Sequence, residues 1–541
     1  MKIKASAFLT LLLLTVADEV KAAPANVDFT ITTSEAVNVT GCPANCPRIT
    51  VTVDGQTRYA QYSAGTGSSS LTFSYAPTIG DLDLDGVTLT SPIDLNGGTI
   101  TDLNGNAITP LTYTVPDTSG IKIDYPSLSM DFVADADGRY TLNGTAYNDL
   151  SSFLGAAGGS YTRASTATYF DSTGTLQTAA SGVPRFDHDP ITHAPKGLLM
   201  EESRTNLVQN SEFTGASLGT SPPVNITFGG GAGVTATITD IGILNGESYM
   251  EVHIAGTNIS GSTFYPNVSF GTFSPAAQWE DWSGRVHIIS STGTIPHGPQ
   301  LQLAELTAAN VYLTSSQPAL VSGSYMTLTR TLSNVNVGKT RFIILTTLLN
   351  GETIDWTLKF SVPQVEKSTF LTSYIPTTGN ATVTRAADSL TIPTGSWSSA
   401  TIGTLFAQGS LSYLGGPKWP GLASLESSSA ESMALGIHDN SSDDPFSEIY
   451  NGGVQTFANY KGSAYTPNAT LKSSVAYEQN NAQACFDGQL GVIDTTTDIP
   501  AISKLRVGSY RGGGSILNGW INKIKYYPYR HTSTQLQLLT Q

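Results

Sequence analysis

ITVTVDGQTRYAQYSAG, Ile49 to Gly65, is the stretch whose reading decides the fold. Ile49, Val51 and Val53 alternate with Thr50 and Thr52, so one face of an extended chain is apolar and the other polar. The Asp54-Gly55 pair that follows supplies the positive φ angles of a two-residue hairpin turn. The chain then returns with β-branched and aromatic residues. The same period-two pattern runs through VDFTITTSEAVNVTG (Val27–Gly41) and SSLTFSYAPTIGDLDLDGVTL (Ser69–Leu89). One wet face and one buried face per strand is the signature of antiparallel sheets.

Outward from this stretch the pattern persists. Short runs of Val, Ile, Thr, Tyr and Phe are separated by Asp-Gly, Asn-Gly and Gly-Gly turns at spacings of roughly 8–12 residues, as in β-sandwiches. Helical periodicity is confined to Tyr147–Leu154 and Ser533–Leu539. The predicted class is all-β, built of several β-sandwiches. A chain of 541 residues exceeds one core, and at roughly 100–200 residues per domain it divides into three or four.

The 27 Lys and Arg against 42 Asp and Glu give a net charge of −15, and no cationic run occurs. This excludes the clustered cations that nucleic acid demands and disfavours an anionic membrane surface. MKIKASAFLTLLLLTVADEVKAAP opens with Lys2 and Lys4, continues with an apolar run from Ala7 to Ala17, and reaches small residues around Ala22. The run is shorter than the ~20 residues of a membrane span, so residues 1–22 are expected to be a signal peptide. No membrane span is expected in the mature chain. In an exported chain, Cys42 and Cys46 in GCPANCPR are expected to form a small-loop disulfide; Cys485 is left over as a buried small hydrophobe.

Three pieces in fixed order carry a family resemblance: YTRASTATYFDSTGTLQTAASGVPRFDHDP (Tyr161–Pro190), KGLLMEESRTNL (Lys196–Leu207) and PQVEKSTFLTSYIPTTGNATVTRAADSLTI (Pro363–Ile392). Together they resemble a module of tailed-phage and prophage structural proteins, found in tail fibres, head spikes and similar appendages. NLVQNSEF (Asn206–Phe213) is similar to the start of jelly-roll carbohydrate-binding modules. SVAYEQNNAQACFDGQLG (Ser474–Gly491) and LNGWINKIKYYPYRHTSTQLQLLT (Leu517–Thr540) resemble the last strands and terminal helix of concanavalin A/laminin-G-like folds. FTITTSEAVNVTG and LNGGTITDLNGNAIT resemble bacterial Ig-like repeats. The resemblances imply an Ig-like sandwich over 24–124, a bridging segment with a hairpin and extended arm over 125–205, a jelly roll over 206–381, and a concanavalin A/laminin-G-like domain over 386–541.

The family implies attachment to a host-surface polysaccharide or glycan, on a virion surface or as a secreted adhesin. It further implies a homo-oligomer, with a trimer as one form, alongside other virion proteins. The rival readings are a polysaccharide depolymerase or glycosidase, and a spacer or capsid decoration with no ligand. No catalytic residue or cofactor other than Ca²⁺ is expected.

Sugar sites lay aromatic rings against pyranose faces. Trp282, Trp356 and Trp520 fall in strand patterns and are expected in cores. Trp279 and Trp419 fall in loops and are candidate platforms, with Tyr510 and Arg511 before a Gly-rich turn as further candidates. Asp81, Asp83 and Asp85 in GDLDLDG alternate along one face, where three like charges call for a Ca²⁺ or mark a solvent-exposed edge strand. Paired glycosidase carboxylates are sought at Asp443, Asp444 and Glu448, which Pro445 interrupts. They are also sought at Glu201 and Glu202, whose adjacency points them to opposite faces of a strand. His188 and His193 frame a loop that would ligate a metal only with partners from elsewhere. Arg163 and Arg185 are expected to pair with Glu201 or Glu202. Arg204 and Arg385, at the two ends of the middle domain, are expected to come together and pin the arm.

Overall fold

The computed structural model describes residues 25–133, 139–231, 233–413, 419–438 and 443–541; the signal-peptide segment, 1–22, lies outside them. The fold is all-β, and among the described residues the strands pair antiparallel. Among the described residues, no helix is long and apolar enough to cross a membrane.

The quoted stretch forms the strands Arg48–Val53 and Gln56–Ala64, with Asp54 and Gly55 both at positive φ in the turn. They lie in a six-stranded sheet with Val27–Thr40, Ser68–Tyr75, Thr88–Asp94 and Thr99–Asp102. The alternate apolar residues, including Ile49, Val51, Val53, Leu71 and Phe73, make one core. Cys42 and Cys46 form a disulfide.

The middle unit is two five-stranded sheets face to face. One contains Ile226–Gly229, Asn267–Pro275, Lys339–Leu345, Gln300–Leu306 and Tyr312–Ser316. The other contains Val234–Leu244, Glu247–Thr257, Thr353–Glu366, Asp281–Thr294 and Ser324–Thr331. Trp282 and Trp356 fill the core between them with Phe270, Phe342 and Phe360.

The third unit has a ten-stranded and a seven-stranded sheet. Here the residues assigned to a bridge behave differently from a connector. Leu128–Asp131, Tyr140–Leu142 and Thr145–Tyr147 extend the larger sheet beyond Gly519–Tyr527, Pro195–Met200 pairs with that same strand, and Ser160–Thr162 edges the smaller sheet beside Ser389–Pro393. Leu128, Met130, Tyr140, Phe153 and Leu198 share one core with Leu405, Leu425, Val475 and Ile524. Strands of three or four residues give too few alternations to declare a buried face, and Pro195–Met200 is buried in a continuous run that does not alternate, so their membership was invisible in sequence. The helix in this segment spans Leu150–Ala157, three residues later than the periodicity suggests. Asp149 caps its first turn by accepting from the Ser152 N–H, and Gly158, at φ 67°, ends it.

Arg163, Arg185, Arg204 and Arg385 form a buried network where the middle and third units meet. Arg185 reaches Glu201 at 2.8 Å and Asp388 at 2.6 Å. Arg163 pairs with Asp388 at 3.2 Å, not with Glu201 or Glu202, because it lies on the strand edge beside Ser389. Arg385 contacts Glu201, Arg204 contacts Glu202, and Arg204 and Arg385 are register partners in the short ladder Arg204–Asn206/Val383–Arg385. The two ends of the middle unit therefore leave and re-enter through one clasp. The arginines beside Glu201 hold its carboxyl down at about 2 against burial, which pushes the other way.

Candidate functional site

The outer face of the seven-stranded sheet brings sequence-distant side chains together. Antiparallel register places Glu448 beside Ala434 and Ser447 beside Leu435. Leu435 and Ile449 point into the core, so Phe446, Glu448 and Tyr450 point out. Small residues on the neighbouring strand, Ser432, Ala434 and Gly436, leave room above the sheet. The chain after Lys504–Val507 turns over that space through Tyr510, Arg511 and Gly512, the last at φ 71°, where glycine is favoured.

Trp419 packs there with Tyr510, Phe446 and Ala434. Its ring lies 4.2 Å from His438, 5.4 Å from Tyr510 and 5.6 Å from Phe446. Arg511 lies 3.6 Å over the Tyr450 ring and donates to the Ser429 carbonyl at 3.1 Å. Three of the candidate residues, Trp419, Tyr510 and Arg511, are thus on one surface. His438, Tyr450 and Tyr460 join them unforeseen. The available signal was the spacing of Phe446, Glu448 and Tyr450, which alternate on one face once the segment is read as a strand and not as a turn. Trp279 is elsewhere: it is 70% exposed on the middle unit, at φ 69°.

Glu448 is buried under this patch. Tyr510 donates to one oxygen at 2.7 Å and Tyr460 to the other at 3.2 Å. Burial and the adjacent carboxylate push the Tyr460 hydroxyl up to about 12 and Tyr510 further up. Both stay protonated donors at neutral pH, so both Glu448 oxygens stay occupied. The second buried acid of the face, Glu426, is held by Arg506 at 3.0 Å and by the Gly512 N–H at 2.6 Å. Asp443 and Asp444 sit at the turn before the strand Pro445–Asn451, and their carbonyls accept from Tyr465 and His438 N–H groups. His438 keeps a buried Nδ1 with no hydrogen-bond partner. The patch therefore offers ring faces and a guanidinium, while its carboxylates serve as internal acceptors.

The remaining candidates are structural in placement. Asp81 accepts from Tyr75, from Thr78 at 2.7 Å and from Arg58 at 2.9 Å. Asp83 accepts from the N–H groups of Asp54 and Gly86, at 2.9 and 2.8 Å, and Asp85 from Gln535 at 2.6 Å. Asp81 and Asp83 are buried. The three do not share an exposed face, because only Leu82–Asp83 is strand. Among the described residues no group of three or more His, Cys, Asp or Glu is arranged to hold a metal. His188 approaches the Phe170 carbonyl at 3.3 Å, and His193 packs against Gly174. Trp520, expected in a core, is only half-buried, and its indole N–H donates to Asp187 at 2.8 Å.

No family model matches the sequence, and no curated protein matches it. Solved structures with partial likeness include the tripod from the baseplate of bacteriophage Tuc2009, at 12% identity and TM-score 0.23, covering 57% of this chain and 98% of that one. A carbohydrate-binding module from a Ruminococcus gnavus sialidase, bound to α2,3-sialyllactose, gives 11% identity and TM-score 0.23 over 26% of this chain and 84% of its own. Domains LG4-5 of mouse laminin α1 give 12% identity and TM-score 0.18 over 53% and 90%. Superpositions this loose carry no argument about activity or partners.

Proposed function

We propose that the protein is a non-enzymatic attachment protein that binds surface glycans through the Trp419–Tyr510–Arg511 face of its C-terminal sandwich. The observation that carries this reading is the convergence of these side chains, with Tyr450, Tyr460 and His438, over a carboxylate whose two oxygens are already taken by tyrosines. Tyr460 is 43% exposed and presents a ring beside the half-buried Trp419. Rings fixed by packing lose little freedom on binding, which favours affinity. A glycosidase needs an acid and a base or nucleophile free to exchange protons with substrate, and Glu448 and Glu426 are both engaged internally.

A single face of this kind binds weakly, and firm attachment comes from several copies acting together. This fits a homo-oligomeric appendage of a virion or an exported adhesin. A glycan array probed with the intact chain tests the reading. Selective signals that disappear in Trp419→Ala, with the melting profile retained, are expected. An array with no selective binding at high protein concentration would leave the spacer reading in its place.

A further inference from the structure

A second site lies where the middle and third units meet. The cavity there is about 330 Å³ and partly enclosed, within the range of small-ligand pockets, which favour domain interfaces. Trp520 forms one wall. Its indole N–H is fixed by Asp187, whose other oxygen accepts from the Phe170 N–H at 2.8 Å, and Lys196 lies 4.7 Å over the ring. Tyr325 also lines the cavity, held by stacking 4.0 Å from His287 and by its hydroxyl on Glu247.

Arg285 also lines this cavity. Its Nε and Nη2 are buried and have no hydrogen-bond partner. In the ladders, its neighbours are Gln364 and Thr327, both neutral. The surrounding carboxylates are already occupied: Glu247 by His287, Ser361 and Tyr325, Glu212 by Ser248 and Tyr374, Asp189 by Lys196, and Glu201 by Arg185 and Arg385. Arg285 as a whole is half-buried, but buried guanidinium donors left unfilled are costly unless an anion completes them, and the planar fork matches a carboxylate.

We propose that this cavity binds a monosaccharide unit bearing a carboxylate, with Arg285 receiving the carboxylate and Trp520 receiving the sugar ring. The alternation of Asn518, Trp520 and Asn522 in LNGWINK is consistent with this placement, since it sets the tryptophan on a polar face, opposite Ile521 in the core. The site is separate from the Trp419 face and does not depend on it.

The test is calorimetric titration of the full chain with glucuronate, galacturonate and N-acetylneuraminate, alongside glucose, galactose and acetate. At least one acidic sugar is expected to bind at least tenfold more tightly than its neutral counterpart and than acetate. Arg285→Gln is expected to weaken it tenfold or more. A second readout uses protein labelled with ¹⁵N at tryptophan, which has six indole signals; the Trp520 signal, assigned through Trp520→Phe, is expected to shift on titration. This readout stands even if Arg285→Gln does not fold. No acidic sugar bound at concentrations on the order of 10 mM, equal binding of acetate, or an unmoved Trp520 signal would overturn the proposal.

Discussion

Asp388→Asn is the sharpest probe of the clasp between the middle and third units. Asp388 is 2% exposed. It receives Arg185 at 2.6 Å, Arg163 at 3.2 Å, the Tyr161 hydroxyl at 2.6 Å and the Glu201 N–H at 2.8 Å. The amide keeps the shape and removes the charge, and it places an NH₂ group against donors. Arg185 retains Glu201, but among the described residues Arg163 has no other carboxylate partner. Its remaining partners are the Tyr161 hydroxyl and the carbonyls of Ser165 and Ala180. Breaking a buried pair from one side costs about 3–5 kcal/mol. For a unit of this size each kcal/mol moves the midpoint by about 2–4 °C, so the shift is roughly 6–20 °C. Scanning calorimetry reads it, because separate units unfold in separate transitions. The transition of the C-terminal sandwich should fall while that of the N-terminal unit stays. Asp487→Asn, which loosens the partly exposed Lys461 pair at 2.7 Å, should cost less than about 1 kcal/mol. If Asp388→Asn costs no more than that control, the clasp does not hold the arm and the reasoning fails.

Three further outcomes follow from the same structure. Burial raises the Glu366 carboxyl from 4.5 to about 7. Its raised value means that the stability from its bound proton is complete below about pH 4.5 and lost as pH rises through about 7, a fall on the order of 3 kcal/mol. Denaturant midpoints across that window should show the slope in the wild type and a flatter one in Glu366→Gln. Opening the Cys42–Cys46 loop, with a sequence separation of 4, should destabilise the N-terminal unit by about 2 kcal/mol, measured as a lower first transition in reductant. Asp54→Ala removes the acceptor for Thr532 at 2.6 Å and His531 at 2.9 Å. Each hydrogen bond to a charged group contributes about 1.5–3 kcal/mol, so limited proteolysis should cut sooner between the N-terminal unit and the C-terminal helix Ser533–Thr540.

The all-β class was legible in sequence because alternation over six or more residues, as in Arg48–Val53 and Ser68–Tyr75, declares both the strand and its buried face. The place of residues 125–205 was not, because Ser160–Thr162 and Leu128–Asp131 join their sheets through partners hundreds of residues away. The candidate site was half legible. Trp419, Tyr510 and Arg511 stand out because bulky or charged groups beside glycine and proline lack a local packing reason. The strand that carries Glu448 was hidden, since Pro445 reads as an interruption; here Pro445 opens that strand instead. Asp81 and Asp83 of GDLDLDG reversed their expected exposure, while Asp85 stays exposed. Arg58 and the Asp54 turn supply donors that make the two buried carboxylates tolerable, and those donors lie outside the motif.

The most direct measurement is calorimetric titration of an array-selected oligosaccharide into the intact chain. The account predicts an isotherm that saturates, with no continuing heat of turnover, and that collapses in Trp419→Ala. Sustained heat with new reducing ends, abolished in Glu448→Gln, or an isotherm indifferent to Trp419→Ala, would contradict it.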